Sequence, residues 1–182
     1  MSKPTIVMVP GAWHRPEIYT GVVEYLSQYG YPTVCLPLPS VGAEPPHEDF
    51  SGDVKGIRNC VTQLVSKDEN VVLVVHSGTS LPGSEALKGL GKREREGNGL
   101  NGGVIRYVVM SGFAMPEGFQ PAAKEDYSRF PEWMKMDHEV RDYYFFSSIF
   151  WDSIRCTFVH KSYSFIRKLL SFLLEGNFHS IS

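Results

Sequence analysis

Apolar positions along the chain keep two different rhythms. Short unbroken runs stand at Thr5-Ile-Val-Met-Val9, Pro32-Thr-Val-Cys-Leu36 and Val71-Val-Leu-Val-Val75, and a fourth, interrupted only by Arg106, spans Val104 to Met110. They are too short for helices and predict strands; Val71 to Val75, four of its five residues β-branched, has the pattern of a strand buried on both faces. Between them the apolar spacing changes to three and four. Ile18, Val22, Tyr25, Leu26 and Tyr29 predict a helix that begins at Pro16-Glu17 and is capped by Gly30. Val54, Ile57, Val61, Leu64 and Val65 predict a second over about 49–66, and a third follows residue 78 to about Leu90. Strands alternating with helices of this length imply right-handed βαβ units: an α/β fold with a parallel central sheet and helices on both faces. Residues 37–46 are a proline-rich surface loop. Residues 91–103 are charged and glycine-rich, and their alternating glutamates point to a solvated loop rather than a basic targeting signal.

The third run stops abruptly at His76-Ser77-Gly78. A strand, a very tight turn carrying a serine and then a helix make a nucleophile elbow, whose full signature is G-x-S-x-G. Here the outer positions are Val75 and Thr79, so the match is partial. Ser77 is the candidate nucleophile; the alternative at this point is that it only caps the following helix. If the first and third strands are neighbours, in an order 2-1-3-4, the loop Gly11-Ala12-Trp13-His14 lines the same crevice at the C-terminal edge of the sheet, where parallel sheets bind ligands. The backbone N–H of Gly78 and that of Ala12 or Trp13 then form a candidate oxyanion site. His14 and His76 are candidate pocket residues. His76, adjacent to the serine, points the wrong way to act as its base.

Composition narrows the class. At 182 residues, with 42% apolar and 21% charged residues, the chain is long enough for one domain with a substantial core. A formal net charge of -2 gives no electrostatic reason to expect nucleic acid or an anionic membrane as partner. Three cysteines without metal-like spacing predict reduced thiols, no metal and a cytoplasmic location. No apolar run reaches the length of a transmembrane span, and no signal-peptide core precedes the first strand.

With these motifs in hand, the chain resembles the α/β-hydrolase family. Pro4-Thr-Ile-Val-Met-Val-Pro-Gly-Ala-Trp-His14 is similar to the family's first central strand and oxyanion loop. Val74-Val-His-Ser-Gly-Thr-Ser-Leu-Pro-Gly-Ser-Glu-Ala86 is similar to its elbow, and Val108-Val-Met-Ser-Gly-Phe-Ala-Met-Pro-Glu-Gly118 to the entrance of its lid. The likeness covers residues 4 to about 120 and looks closest to small cytosolic esterase-like members, near the methylesterase and hydroxynitrile-lyase branch. It implies hydrolysis of a small ester or other acyl substrate through a serine-bound intermediate, with no metal or organic cofactor. It also implies an acid and then a histidine later in the chain, the histidine taking the serine proton. Asp152 and His179 stand in that order, although Asp152 precedes the apolar stretch 154–159 where the family's acid follows a strand. The expected organisation is a hydrolase core over 1–140, incomplete at its C-terminal side, and an atypical aromatic and helical tail over 141–182. That tail either covers a sheet edge or rests on a membrane surface or partner. The opposing expectation is a non-catalytic remnant that binds a small ligand or a partner protein. Lyase chemistry would use the same serine and histidine.

Overall fold

Five residues of Thr5–Val9 (β1) and seven of Asn70–His76 (β3) form the centre of the sheet because, apart from the end residues Thr5, Asn70 and His76, every side chain in them is apolar. Ile6, Val7, Val9, Val71, Val72, Leu73 and Val75 are completely removed from solvent. Full burial stabilises each by roughly 1.5–3 kcal/mol, so this pair holds the sheet together. The computed structural model describes residues 2–112, Ala114 and two short strands further on. The chain divides into two units, residues 1–121 and 122–182.

In the first unit the sheet is parallel, in the order β2-β1-β3-β4, with β2 at Thr33–Cys35 and β4 at Gly103–Met110. This is the order 2-1-3-4 expected from the sequence. The connecting helices are Thr20–Gln28 (α1), Ser51–Val65 (α2), Ser80–Ala86 (α3) and Lys92–Gly97 (α4). Alternation along the strands sorts the core. Val7, Val9, Val71, Leu73 and Val75 share one cluster with Ile57, Val61 and Val65 of α2 and Ala86 of α3. Ile6, Met8, Val72 and Val74 are as deeply buried but lie outside that cluster, as side chains of the opposite face must.

Several expected boundaries shift for physical reasons. The first helical segment opens as a 3₁₀ turn over Pro16–Tyr19, and Ile18 and Tyr29, expected on its apolar face, are 43% and 41% exposed. The helix expected to reach about Leu90 ends at Ala86, where the next N–H groups bond three residues back and Gly89 takes φ 79°. The stretch 91–103, expected to be a plain loop, contains α4. A Lys92–Glu96 ion pair of 3.4 Å lies along it, and Arg95 donates to the carbonyls of Val65, Asn101 and Gly102 at 3.0, 2.9 and 3.2 Å. Glutamates that alternate with basic residues also stand at helical spacing, so the same residues suit a short solvated helix.

The second unit contains an antiparallel pair, Met134–Asp137 (β5) and Asp142–Phe145 (β6), with Met134 opposite Phe145 and Asp137 opposite Asp142. Among the described residues no helix is long and apolar enough to cross a membrane.

Candidate active site

The chain reverses direction at Ser77. β3 delivers His76 in extended backbone (φ -119°, ψ 138°), Ser77 takes φ 55°, and a single 3₁₀ turn, Ser77–Thr79, feeds α3. Left-handed backbone at a residue with a Cβ costs roughly 1–2 kcal/mol. Helix capping does not require it, since an N-cap serine sits in the β region. No side-chain cap bond is made at either helical start here. Ser77 is half-buried, and no atom would lie within 4 Å of a Cβ built on Gly78.

Hydrogen bonds from the residues that follow hold the turn. Thr79 Oγ1 donates to the Pro10 carbonyl at 2.6 Å, Ser80 Oγ to the Ser77 carbonyl at 2.8 Å, and Tyr107 Oη to the Ser80 carbonyl at 2.6 Å. Burial pushes the Tyr107 phenol up to about 12, so it remains a donor at any ordinary pH. Thr79, which breaks the G-x-S-x-G signature, thereby stitches the elbow to the loop after β1. Val75, the other departure, is accommodated by a glycine elsewhere. A Cβ on Gly83 would lie 2.9 Å from Val75 Cγ1 and 2.9 Å from Tyr107 Oη, so α3 packs close only because Gly83 has none.

Two further loops close on the elbow. A Cβ on Gly11 would lie 2.6 Å from His76 Nδ1 and 3.1 Å from Ser77 Cβ; one on Gly112 would lie 2.8 Å from the Ser77 carbonyl oxygen. The loops after β1, β3 and β4 thus meet at the C-terminal edge of the sheet, and glycine is what lets them. Residues 11–14 form a tight turn closed by His14 N–H on the Gly11 carbonyl at 3.1 Å, with Trp13 at φ 64°. His14 Nδ1 lies 2.9 Å from the Ala12 carbonyl oxygen. The His14 and His76 rings stand edge to face with centroids 6.2 Å apart. His76 is only 7% exposed, and burial first, then the neighbouring His14, lowers its pKa to about 4. It is therefore neutral near pH 7.

Ser77, Gly78, Ala12, Trp13, His14 and His76 are thus brought to one edge of the sheet. Asp152 and His179 lie outside the described residues, as does the tail from 146 onward. Among the described residues, no side chain hydrogen-bonds the Ser77 hydroxyl, and no three His, Cys, Asp or Glu side chains gather as a metal site requires. The contributions of Thr79, Gly83, Gly112 and Tyr107, and the close approach that Gly11 permits, were not read from the sequence. Only the small residues Gly11 and Gly112 at strand ends carry a signal that could have pointed to them. A groove of about 390 Å³ beside Pro16, Thr20, Val23 and Cys35 includes none of these residues.

A profile of the Alpha/beta hydrolase family matches residues 6–173. The chain is 38% identical over 118 residues to "Alpha/beta hydrolase nvfD" of Aspergillus novofumigatus, an overlap of 65% of this chain and 46% of that protein. It is 31% identical over 113 residues to "Probable hydrolase R7" of a Phoma species, covering 61% of this chain and 43% of that one. The crystal structure of tomato Methylketone Synthase I complexed with 2-tridecanone is similar in fold, with a TM-score of 0.50 at 21% identity over 64% of this chain and 43% of its own. The chain spans less than half the length of the curated relatives it matches.

Proposed function

The chain belongs to the alpha/beta hydrolase family, and on that premise we propose that it is a serine hydrolase acting on a small ester or other acyl substrate. The observation that carries this reading is the left-handed backbone of Ser77 (φ 55°) at a strand-to-helix turn with the Gly11 loop against it. Strain of that kind persists where surrounding structure over-determines it, and an elbow that presents a nucleophile is such a place.

In the proposed reaction, Ser77 Oγ attacks the carbonyl carbon and its proton passes to a histidine. The oxyanion that forms is held by the N–H of Gly78 and that of Ala12 or Trp13. The carbon–oxygen bond to the leaving group then breaks, and the alcohol departs with the proton. Water attacks the acyl-serine next, releases the acid and restores the hydroxyl. Losing one such oxyanion donor costs roughly a hundred- to a thousandfold in turnover. We assign the base to His179 and the acid to Asp152 by chain order alone. His14 and His76 are read as pocket residues. A cytoplasmic location rests on cysteine usage, and the methylesterase and hydroxynitrile-lyase branch rests on the opening motif; both belong to this proposal.

The test is labelling with a fluorophosphonate probe. The folded wild-type chain should label and Ser77→Ala should not; His179→Ala and Asp152→Ala should then label far more slowly. A folded wild-type chain that takes no probe overturns the hydrolase reading in favour of a ligand-binding remnant.

A further inference from the structure

A carbonyl oxygen can only accept, so the 2.9 Å contact between His14 Nδ1 and the Ala12 oxygen requires the proton on Nδ1. That contact has a consequence for the neighbouring peptide. A trans peptide is planar, so fixing the direction of the Ala12 carbonyl fixes the Trp13 N–H at the opposite side of the same plane. Of the loop's two candidate oxyanion donors, the Trp13 N–H lies in this peptide and turns with it, and the peptide is held against preference. Trp13 sits at φ 64°, in a region that a residue with a Cβ rarely occupies. Rotating the Ala12–Trp13 peptide would relieve that strain. The turn bond from His14 N–H to Gly11 O at 3.1 Å and the Thr79 Oγ1–H bond to Pro10 O at 2.6 Å are both kept when that peptide flips, whereas the imidazole on the Ala12 carbonyl opposes the flip. The His76 ring, edge to face at 6.2 Å, stands beside the imidazole.

We infer that His14 is a positioning residue: its Nδ1–H clamps the Ala12 carbonyl and so aims the Ala12–Trp13 peptide as an oxyanion donor. This inference rests on the serine-hydrolase reading for its effect on rate, but not for the clamp. The role is distinct from that of a general base. It needs a donor at the position of Nδ1 and no proton transfer, so a neutral amide can replace it. Asn places its amide nitrogen close to the place of Nδ1, while Leu has nearly the same shape and nothing to donate.

The experiment compares the fluorophosphonate labelling rate constants of wild type, His14→Asn and His14→Leu, each first checked for folding by circular dichroism and thermal melting. The clamp predicts a roughly ten- to hundredfold slower reaction in the Leu variant, somewhat less than loss of a donor outright. It predicts Asn within about threefold of wild type. Equal losses in both variants would assign His14 to proton transfer or ligand contact and overturn the inference; wild-type rates in both would overturn it as well. A second readout does not need a reactive serine. In ¹⁵N spectra of the full chain, the His14 ring should carry its proton on Nδ1 when neutral. The Trp13 amide resonance should move in the Leu variant and stay near its place in the Asn variant. If wild type fails to label but these shifts appear, the hydrolase reading falls and the clamp stands. If the Nε2 tautomer is found, the clamp falls whatever the labelling shows.

Discussion

Ser77 and Trp13 both sit in left-handed backbone, at φ 55° and 64°, although neither is glycine. Ser77→Gly should therefore relieve strain. The gain of roughly 1–2 kcal/mol is partly offset by the greater freedom of glycine in the unfolded chain. The expected result is a protein up to about 1 kcal/mol more stable in urea unfolding and unable to react with a fluorophosphonate. Gly11 tests the opposite case, because its constraint is space. A Cβ there would meet His76 Nδ1 at 2.6 Å, so Gly11→Ala should destabilise by roughly 1–3 kcal/mol, as overpacking does, and should slow labelling. His76 gives the fold a pH dependence. Its folded pKa of about 4 lies below the ordinary value of 6.5, so between these values the unfolded chain binds the extra proton. Its contribution to stability is complete above about pH 6.5 and is lost as pH falls toward 4, with a slope of at most about 1.4 kcal/mol per unit. Urea midpoints measured from pH 7 to 4.5 should fall more steeply for wild type than for His76→Asn. The strand-to-helix turn at Ser77 was legible in the sequence because a mostly β-branched apolar run ends at Val75, two residues before it. The loop of Gly11 was placed beside it by the strand order, but the need for a missing Cβ at Gly11 and the bond made by Thr79 were not legible, because they depend on which atoms the crossovers bring into contact.

The elements themselves were largely written in the apolar rhythm. β1 falls on Thr5–Val9 as its pattern predicts, and the parallel order follows from the crossovers. The misplaced features are those decided by polar contacts. α4 depends on carbonyls that Arg95 reaches, one of them on Val65, thirty positions away in the chain. The start of α2 shows the same dependence. Asp53, 1% exposed in its first turn, accepts from the Ser40 N–H at 3.0 Å and from Ser40 Oγ at 2.7 Å, and so ties the proline-rich loop to the helix. Nothing in the spacing of α2 marks Asp53 as internal, yet its removal should be felt. Asp53→Ala leaves two donors without their acceptor and should cost about 2–3 kcal/mol in urea unfolding. Asp53→Asn keeps one acceptor oxygen and should cost less.

For the molecule as a whole, solubility is expected to depend on the strand at the end of the described sheet. Among the described residues β4 stands at one end of the order β2-β1-β3-β4, and where β1 and most of β3 are buried, each residue from Val104 to Met110 is only half-buried. A strand in that position tolerates few consecutive apolar residues before it becomes a template for pairing with other chains. Arg106 is the residue that interrupts the run, standing between Val104-Ile105 and Tyr107-Val108-Val109-Met110. Its guanidinium donates to the Ile105 carbonyl at 2.9 Å, so it also engages the backbone of the strand it guards. A net charge of -2 adds little repulsion between molecules, so the charge within this strand is expected to matter for solubility. Arg106→Val converts the strand into seven uninterrupted apolar or aromatic residues, Val104 to Met110, of high β-propensity. The fold should survive, since valine suits a strand, but the concentration at which light scattering rises should drop severalfold. Arg106→Lys should behave as wild type in the same assay. If the valine variant stays as soluble as wild type, the edge of β4 is protected by something other than Arg106.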